Sequence, residues 1–409
     1  MNADVIIIGG GAAGYFTAIN IAEMNPSLQV LILERGKEVL TKVKVSGGGR
    51  CNVTHAEFLP KPLSENYPRG KKELLGPFHS FMTGDTVAWF EARGVTLHTE
   101  EDGRMFPVTN DSQTIIDCFT EAAQQLGVQV ALGAGVQEII SEVGGWTVRT
   151  KADTHTCKRL VVATGSSPKF WNVLATLGHT IVSPVPSLFT FNIDDERISD
   201  LPGVSTNATV QMLSEENSVL LESEGPLLIT HWGMSGPAIL KLSAWGARHL
   251  ATMDYHFRIR VRWVPELSDE DVLATLTDCK LRFAKQRVHN NPQFELPKRL
   301  WKNLLQAAWV SEDIIWAHIT KEQMLRMVQM LTITEFQVHG KSTFKEEFVT
   351  AGGVDLKEID FKTFESKLHP GLYFAGEVVN IDAITGGFNF QNAWTGGFMV
   401  ASAITSAGL

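Results

Sequence analysis

Three glycines with a characteristic spacing lie near the start of the chain. Gly9, Gly11 and Gly14 form a G-x-G-x-x-G pattern between the apolar run at 4–8 and a segment with helical periodicity. In such a pattern the first glycine permits a tight turn, the second lets a pyrophosphate approach the backbone, and the third lets helix and strand pack closely. No Gly-Lys-Ser/Thr ends the motif, so it predicts a dinucleotide-binding turn and not the phosphate loop of nucleotide hydrolases.

A carboxylate follows this motif at the distance that dinucleotide binding requires. Glu34 lies about twenty residues after Gly14 and ends a second apolar run, at 28–34. A carboxylate in this position is able to hold ribose hydroxyls, which suits an adenosine ribose without a 2′-phosphate. Both FAD and NAD meet that condition. Arg35 next to it either packs along the adenine or points into water.

Residues 46–54 read SGGGRCNVT and combine three glycines with polar and charged groups. Arg50 is suited either to neutralise a phosphate or to orient an anionic substrate, and Asn52 to hydrogen-bond a ring edge. The alternative is a turn stabilised by its own polar side chains. Cys51 has no second cysteine in a C-x-x-C or C-x4-C arrangement, so we interpret it as a small packing residue and not as a redox thiol.

Two later strand ends point to FAD. The segment at 371–379, GLYFAGEVV, resembles the late strand of FAD proteins of the glutathione-reductase type, which ends in an aromatic-Ala-x-Gly-Asp/Glu run. The resemblance implies a role for Glu377 near the ribityl-pyrophosphate of FAD. The segment at 160–168, LVVATGSSP, is similar to the Ala-Thr-Gly strand end of the same proteins. Together with the glycine motif, these resemblances imply one bound FAD.

The segments at 46–54, 227–240 and 384–397 make the resemblance closer. With them the chain resembles, essentially end to end, the bacterial BaiN/RdsA and aminoacetone-oxidase-like FAD flavoprotein family. It departs from that family at Ser166, where the family commonly has glycine, and at Asn392, where it commonly has tryptophan. The predicted cofactor-binding set is Gly9, Gly11, Ala12, Ala13, Gly14, Glu34, Arg35, Ser46, Gly47, Gly48, Gly49, Arg50, Cys51, Asn52, Val136, Ala163, Thr164, Gly165, Gly376, Glu377, Gly387, Phe388, Asn389, Gln391, Asn392 and Ala393.

Within this set, the resemblance implies that Ser46 and the glycines at 47–49 lie against the isoalloxazine and the pyrophosphate, and that Val136 contacts adenine through its backbone. The segment at 386–391 is expected to turn into the last helix, whose N-terminal amides would face the pyrimidine side of the flavin. A core helix lined with small residues is the alternative, and both interpretations are compatible. His231 is the candidate for substrate-side proton transfer, because histidine titrates near neutrality; a packed or capping histidine is the alternative, and no catalytic acid or base is assigned.

The composition limits the classes of partner. The chain has 409 residues and a formal net charge of −9, which argues against a general nucleic-acid footprint. Four basic residues at 61–72 are interpreted as a solvated surface loop: Lys61, Arg69, Lys71 and Lys72. The four cysteines lack zinc spacing, and no apolar run approaches the ~18 residues of a membrane span. We therefore expect a cytoplasmic protein without metal, membrane or nucleic-acid partners, acting on a small-molecule substrate.

The order of patterns predicts an α/β fold with an insertion. A discontinuous Rossmann-like FAD domain of the glutathione-reductase type is expected at 1–187 and 336–409, an antiparallel, barrel-like β domain at 188–265 and 330–335, and a helical insert at 266–329. The inserted domains are expected to cover the flavin and to form the substrate cleft.

The predicted function is an FAD-dependent oxidoreductase that moves hydride between flavin N5 and a small substrate or NAD(P)H. The segment at 133–138 lacks the third glycine of a second dinucleotide motif, so NAD(P)H would visit only transiently or oxygen would serve as acceptor. A flavin-bearing redox sensor without turnover and an RNA-modifying flavoprotein are the alternatives.

Overall fold

The two apolar runs at the start of the chain lie side by side as parallel strands in this computed structural model, which describes residues 2–342 and 349–407. They form β1 (Val5–Ile8) and β2 (Val30–Leu33), joined by α1 (Ala12–Met24). Every residue of both strands is buried, as expected for β-branched and leucine side chains in a sheet covered on both faces. Together they form a β-α-β unit around the glycine motif.

The chain divides into two compact units: unit 1 is Met1–Val185 with Val349–Leu409, and unit 2 is Pro186–Phe348. The first segment of unit 1 continues with α2 (Thr41–Gly49), β3 (Thr54–His55), α3 (Pro60–Ser64), α4 (Lys71–Phe78), α5 (Thr83–Glu91), β4 (Leu97–Thr99), β5 (Arg104–Pro107), α6 (Ser112–Gln125), β6 (Gln129–Ala131), β7 (Val136–Glu142), β8 (Gly145–Thr150), β9 (Thr154–Cys157), β10 (Arg159–Val162), α7 (Pro168–Thr176) and β11 (Ile181–Ser187). Unit 2 contains β12 (Thr190–Asn192), β13 (Ser205–Leu213), β14 (Val219–Thr230), β15 (Gly233–Ser235), α8 (Pro237–Thr252), β16 (His256–Arg262), α9 (Asp269–Arg282), α10 (Lys298–Ala307), α11 (Lys321–Thr332), β17 (Thr334–His339) and β18 (Lys341–Ser342). The chain returns to unit 1 with β19 (Val349–Val354), β20 (Ile359–Asp360), β21 (Glu365–Ser366), β22 (Leu372–Phe374) and α12 (Phe388–Ser406).

The main sheet of unit 1 has the strand order β20-β21-β22-β10-β1-β2-β6. The strands from β22 to β6 are parallel, and Ile8 is in register with Val162 of β10 and Leu33 of β2. Val162 is in turn in register with Phe374 of β22. Since parallel strands end at the same edge of a sheet, the segments that follow β1, β2, β10 and β22 meet there.

Two helices from opposite ends of the chain pack together above this sheet. All residues of α1 from Ala13 to Ala22 are buried, because one side of the helix faces the sheet and α12 covers much of the rest. A Cβ at Gly397 would lie 2.9 Å from the Thr17 hydroxyl. The small residue therefore permits the close approach of α12 to α1.

Unit 2 is built on an antiparallel sheet with the order β17-β16-β13-β14-β15-β12-β18. Its apolar core includes α8 and the predicted helical segment, in which α9 and α11 begin at capping boxes. The serine and threonine at these caps, Ser268 and Thr320, each accept a hydrogen bond from the backbone N–H three residues on. Such caps satisfy amides that a helix start leaves without partners.

The boundaries at the end of the insertion differ from the sequence prediction. The helical insert was expected to end at 329, whereas α11 continues to Thr332. Residues 336–342 were expected in the FAD domain, whereas β17 pairs with β16 and β18 pairs with β12 in the sheet of unit 2. The sequences of β17 and β18 do not distinguish a strand of the insert from one of the FAD domain, so only their pairing partners show to which sheet they belong.

Candidate functional site

The predicted strand ends converge as the register requires. The amide of Gly9 donates to Leu33 O at 2.9 Å, that of Ala163 donates to Ile8 O at 2.9 Å, and that of Ala375 donates to Val162 O at 3.1 Å. These bonds extend the parallel ladders one residue beyond each strand. The glycine motif, the Ala163-Thr164-Gly165 run and the run ending at Glu377 therefore border one crevice of unit 1.

The glycines of the first motif serve different purposes. A Cβ at Gly14 would lie 2.0 Å from Gly9 O, and one at Gly9 would lie 2.4 Å from Ala163 O, so packing forbids a side chain at either position. A Cβ at Gly11 would meet no atom within 4 Å. Gly11, followed by Ala12 and Ala13 in the first turn of α1, thus faces open space, as a turn that admits a pyrophosphate requires.

Glu34 is fixed by the backbone around it. Its Oε2 accepts a hydrogen bond from the amide of Gly10 at 2.7 Å, and its Oε1 accepts one from Gly36 at 2.6 Å. The carboxylate is therefore held against the glycine turn with lone pairs left for ribose hydroxyls. Nearby, a Cβ at Gly135 would lie 3.3 Å from Cβ of the exposed Arg35, which places the start of β7, and with it Val136, beside the Glu34 end of the crevice.

The segment at 46–52 is a broken helix end. Inside α2 the backbone leaves helical geometry at Ser46 (φ −66°, ψ 149°) and enters the left-handed region at Gly47 and Gly48, which glycine adopts without steric cost. A Cβ at Gly48 or Gly49 would meet no atom within 4 Å. These two glycines border open space, as a surface that receives a flat ligand requires.

The polar residues of this segment have protein partners. The guanidinium of Arg50 donates to Glu100 Oε1 at 2.6 Å and lies 4.0 Å from the ring centre of Phe106. In the amide orientation that satisfies both of its ends, Asn52 donates to Thr54 O at 2.9 Å and accepts from the amide of Gly387 at 3.0 Å. Arg50 is thus hydrogen-bonded to the β4–β5 hairpin, and Asn52 is hydrogen-bonded to the turn before α12.

Cys51 is fully buried, and burial raises the pKa of its thiol to about 12, against a smaller opposing effect of the hydrogen bond with Ser46. All four cysteines of the chain are buried, and none of them forms a disulfide. A thiolate is the reactive form of cysteine, so the interpretation of Cys51 as a packing residue agrees with the structure.

An ion pair between Lys42 and Glu377 joins α2 to the segment that follows β22. Glu377 Oε2 lies 2.6 Å from the ammonium nitrogen of Lys42, a residue of α2 that is 335 positions away. The same oxygen is 3.7 Å from where a Cβ of Gly165 would lie. Glu377 therefore faces the end of β10, and Gly376 precedes it beside Ala13.

The start of α12 is held by several side chains. Asn389 accepts from the amide of Ala383 at 3.0 Å and donates to its carbonyl at 3.2 Å. Gln391 accepts from the hydroxyls of Thr54 and Thr86. Asn392, next to the buried Ala393, keeps an Oδ1 that is buried and has no hydrogen-bond partner among the described residues.

The sequence did not predict three side chains that hold the turn before α12 in place. Tyr67 donates to Phe388 O at 2.6 Å, and Arg69 forms a two-point ion pair with Asp382, whose side chain has no exposed surface. His55 Nδ1 donates to Gly386 O at 3.0 Å, and the imidazole ring stacks on Phe388. The interpretation of 61–72 as a solvated loop is wrong for Arg69, because its side chain pairs with the buried Asp382, 313 positions away. The segment also contains α3 and the start of α4.

His231 lies in unit 2, exposed at the turn between β14 and β15. Every residue of the predicted cofactor-binding set belongs to unit 1. The role of His231 in substrate-side proton transfer stays a prediction.

These features fit a flavin dinucleotide. Three glycines that border open space line the crevice: Gly11, Gly48 and Gly49. The carboxylate of Glu34 is fixed at the end where a ribose would bind, and the N-terminus of α12 borders the other end. Within residues 2–342 and 349–407, no cluster of three or more His, Cys, Asp or Glu is suited to hold a metal ion. No helix in that same part of the chain is both long and apolar enough to cross a bilayer.

The fold and the crevice define an FAD-dependent oxidoreductase with a Rossmann-type cofactor domain. The chain belongs to the family described as HI0933-like protein Rossmann domain, whose model matches residues 3–403. This confirms the resemblance drawn from the motifs.

Relatives and a solved structure agree over the full length. The chain is 29% identical over 98% of its length to a Haemophilus influenzae protein named ribosomal RNA dihydrouridine synthase, 98% of which is covered. It is 25% identical over 97% of its length to the 3-dehydro-bile acid delta(4,6)-reductase of Clostridium scindens, again with 98% covered. The crystal structure of 3-ketosteroid delta1-dehydrogenase from Sterolibacterium denitrificans in complex with 1,4-androstadiene-3,17-dione aligns over 100% of both chains, with a TM-score of 0.53 and 12% identity, a likeness of fold.

Proposed function

We propose that the protein is an FAD-dependent reductase that adds hydrogen across a carbon–carbon double bond conjugated to a carbonyl group. The names of the two relatives describe this same chemistry. Dihydrouridine is uridine with its ring double bond reduced beside a carbonyl, and the two double bonds of a delta(4,6) bile acid are conjugated with its 3-oxo group. Because both relatives match over nearly the whole chain, the shared reaction is better supported than either substrate.

The crevice of unit 1 supports a route through flavin alone, and the nearly full-length match to both relatives is the observation that carries the proposal. Burial raises the pKa of the Cys51 thiol to about 12, so the cysteine of the glycine segment is not a thiolate at neutral pH. FAD, when bound, supplies a hydride acceptor and donor at its N5. The protein contributes the open glycine surface and the N-terminus of α12, whose dipole favours negative charge nearby.

A uracil base within RNA is the second candidate substrate. The match to the Haemophilus influenzae relative favours it, since that protein is named for making dihydrouridine in ribosomal RNA. The net charge of −9 favours a small molecule instead, because nucleic-acid binding releases counterions only where Lys and Arg neutralise phosphates. Both substrates present the same conjugated double bond, so one assay addresses both.

The test follows the flavin through a full cycle without oxygen. The holoenzyme is reduced anaerobically with NADH or NADPH, then mixed with a simple cyclic enone, a 3-oxo-4-ene steroid, uridine, or unmodified ribosomal RNA. Return of the oxidised-flavin absorbance at about 450 nm, with product heavier by two hydrogens, supports the proposal and identifies the substrate class. A reduced flavin that none of these compounds reoxidises, but that oxygen reoxidises rapidly, would overturn it and favour an oxidase or a redox sensor.

A further inference from the structure

Lys42 lies beside the dinucleotide turn, although no motif includes it. The amide of Leu40 donates to Gly10 O at 2.9 Å, and a Cβ at Gly10 would lie 3.1 Å from a methyl of Val39. The residues that lead into α2 are thus hydrogen-bonded to the turn between β1 and α1. From this position the ammonium of Lys42 reaches Glu377 Oε2, across the crevice.

Two local features at this point are unfavourable by themselves. Leu40 is buried in a left-handed conformation, with φ 55°, which a branched side chain rarely adopts. Lys42 lies in the first turn of α2, where a cation opposes the helix dipole. Strained or unfavourable choices of this kind persist where the surrounding structure requires them, often at functional sites.

The charges around the crevice leave a role for this cation. Glu34 and Glu377 are acidic, and a bound FAD would bring the two negative charges of its pyrophosphate into the same crevice. Arg50, the cation suggested by the sequence, donates to Glu100 on the β4–β5 hairpin. Lys42 is 61% exposed and has a flexible stem, so its ammonium is free to move from a carboxylate to a phosphate within the same crevice.

We propose that Lys42 binds the pyrophosphate of FAD, and that Glu377 holds its ammonium until the cofactor enters. The transfer leaves Glu377 free to accept a hydrogen bond from the ribityl chain. The proposal rests on FAD binding and not on the identity of the substrate. Lys42 thereby becomes a cofactor-binding residue outside the G-x-G-x-x-G motif.

The experiment compares two lysines on the same helix. The full-length protein is stripped of flavin and titrated with FAD and with riboflavin, which lacks the pyrophosphate, for wild type, Lys42→Met, Lys42→Arg and the control Lys44→Met. Lys44 is exposed and lies two residues further along α2. We expect Lys42→Met to weaken FAD binding by about tenfold or more, with riboflavin affinity and the Lys44→Met variant both near wild type.

Two further readouts separate a charge from a structural role. Lys42→Arg should recover most of the FAD affinity, and the salt dependence of FAD binding should be shallower in Lys42→Met than in the Lys44→Met control. FAD affinity unchanged in Lys42→Met, or an equal loss of FAD and riboflavin binding, would overturn the proposal. Because no substrate is present, either result leaves the proposed reductase activity to be judged by its own assay.

Discussion

At the scale of single residues, Cys51 combines a left-handed backbone, φ 59°, with complete burial. Because burial raises its pKa to about 12, we expect the native protein to resist thiol reagents at about pH 8, where an ordinary cysteine reacts. All four cysteines should react once the chain is unfolded. The measurement is a thiol count with a chromogenic disulfide, before and after denaturation.

Cys51→Ala provides the control for this prediction. The variant removes the sulfur and keeps a small side chain, so reduction and reoxidation of the flavin should proceed within about twofold of wild type. Rapid labelling of one native thiol, accompanied by loss of turnover and absent from Cys51→Ala, would show that a cysteine takes part in the reaction.

Residue roles could be predicted from the sequence where they depend on local geometry. Gly14 and Glu34 belong to a motif whose spacing is fixed by a strand, a turn and a helix, and the structure places both where that geometry requires. Arg50 shows the opposite case, since its partner Glu100 is brought to it only by the tertiary fold. A single sequence holds no record of such distant pairs.

At the scale of elements, the turn before α12 depends on a buried ion pair. The Asp382 side chain is fully buried and that of Arg69 is 13% exposed, so loss of either charge removes the ion pair from a mostly buried position. We expect Asp382→Asn to lower the free energy of unfolding by about 3–5 kcal/mol and to weaken FAD binding, since α12 starts six residues later. Urea unfolding and FAD titration measure the two effects.

A double variant separates charge from packing at this position. Arg69→Met with Asp382→Leu removes both charges and retains side-chain volume, so it should be more stable than Asp382→Asn alone. The opposite order of stability would mean that the pair acts through other hydrogen bonds of the turn and not through charge compensation.

A second element-scale prediction concerns pH. The loop after α7 is tied to β21 by His179, whose Nδ1 lies 2.8 Å from Glu358 Oε2 and whose Nε2 lies 3.1 Å from Ser366 Oγ. Burial lowers the pKa of His179, and the hydrogen bond and charge of Glu358 offset only part of that effect, while His369 adds to it. The folded protein therefore binds fewer protons here than the unfolded chain, in which histidine titrates at about 6.5.

The sign follows from proton linkage. Stability should fall as the pH drops from about 6.5 toward the lower pKa of the folded state, because unfolding takes up a proton in this window. His179→Gln should be less stable near neutrality but lose less stability on acidification over the same window. Urea denaturation at several pH values measures this, and a parallel pH dependence in the variant and the wild type would assign the effect to other groups.

Some elements could not be predicted from pattern alone. The segment at 60–78 contains prolines and lysines typical of a loop, yet it forms α3 and α4 because Leu63, Leu74 and Phe78 are buried and Tyr67 reaches α12. The break in α2 was likewise not predicted, since the glycines indicate flexibility but not the left-handed path they take. Tertiary contacts determine both the formation of α3 and α4 and the break in α2.

At the scale of the whole molecule, the meeting of two distant segments could be predicted because each carries its own signature. The buried strands β1 and β22 are separated by more than 360 residues yet flank β10 in one sheet. The end of the insertion could not be placed, because β17 and β18 have no sequence feature that distinguishes a strand of unit 2 from one of unit 1. Only the strands with which β17 and β18 pair show that they belong to unit 2.

This division leads to a prediction about unit 1 alone. The chain leaves unit 1 through β11 and returns through β19, and these two strands are hydrogen-bonded neighbours. Replacing residues 188–348 with a short Gly/Ser linker should therefore leave a folded unit that binds FAD within about tenfold of the full-length affinity, because compact domains with adjoining ends tolerate such excision. Flavin fluorescence titration and far-UV circular dichroism provide the measurement, with the same excision carrying Glu34→Gln as a control for specific binding. A folded but colourless unit would show that unit 2 completes the cofactor site, and it would contradict the placement of the whole FAD crevice within unit 1.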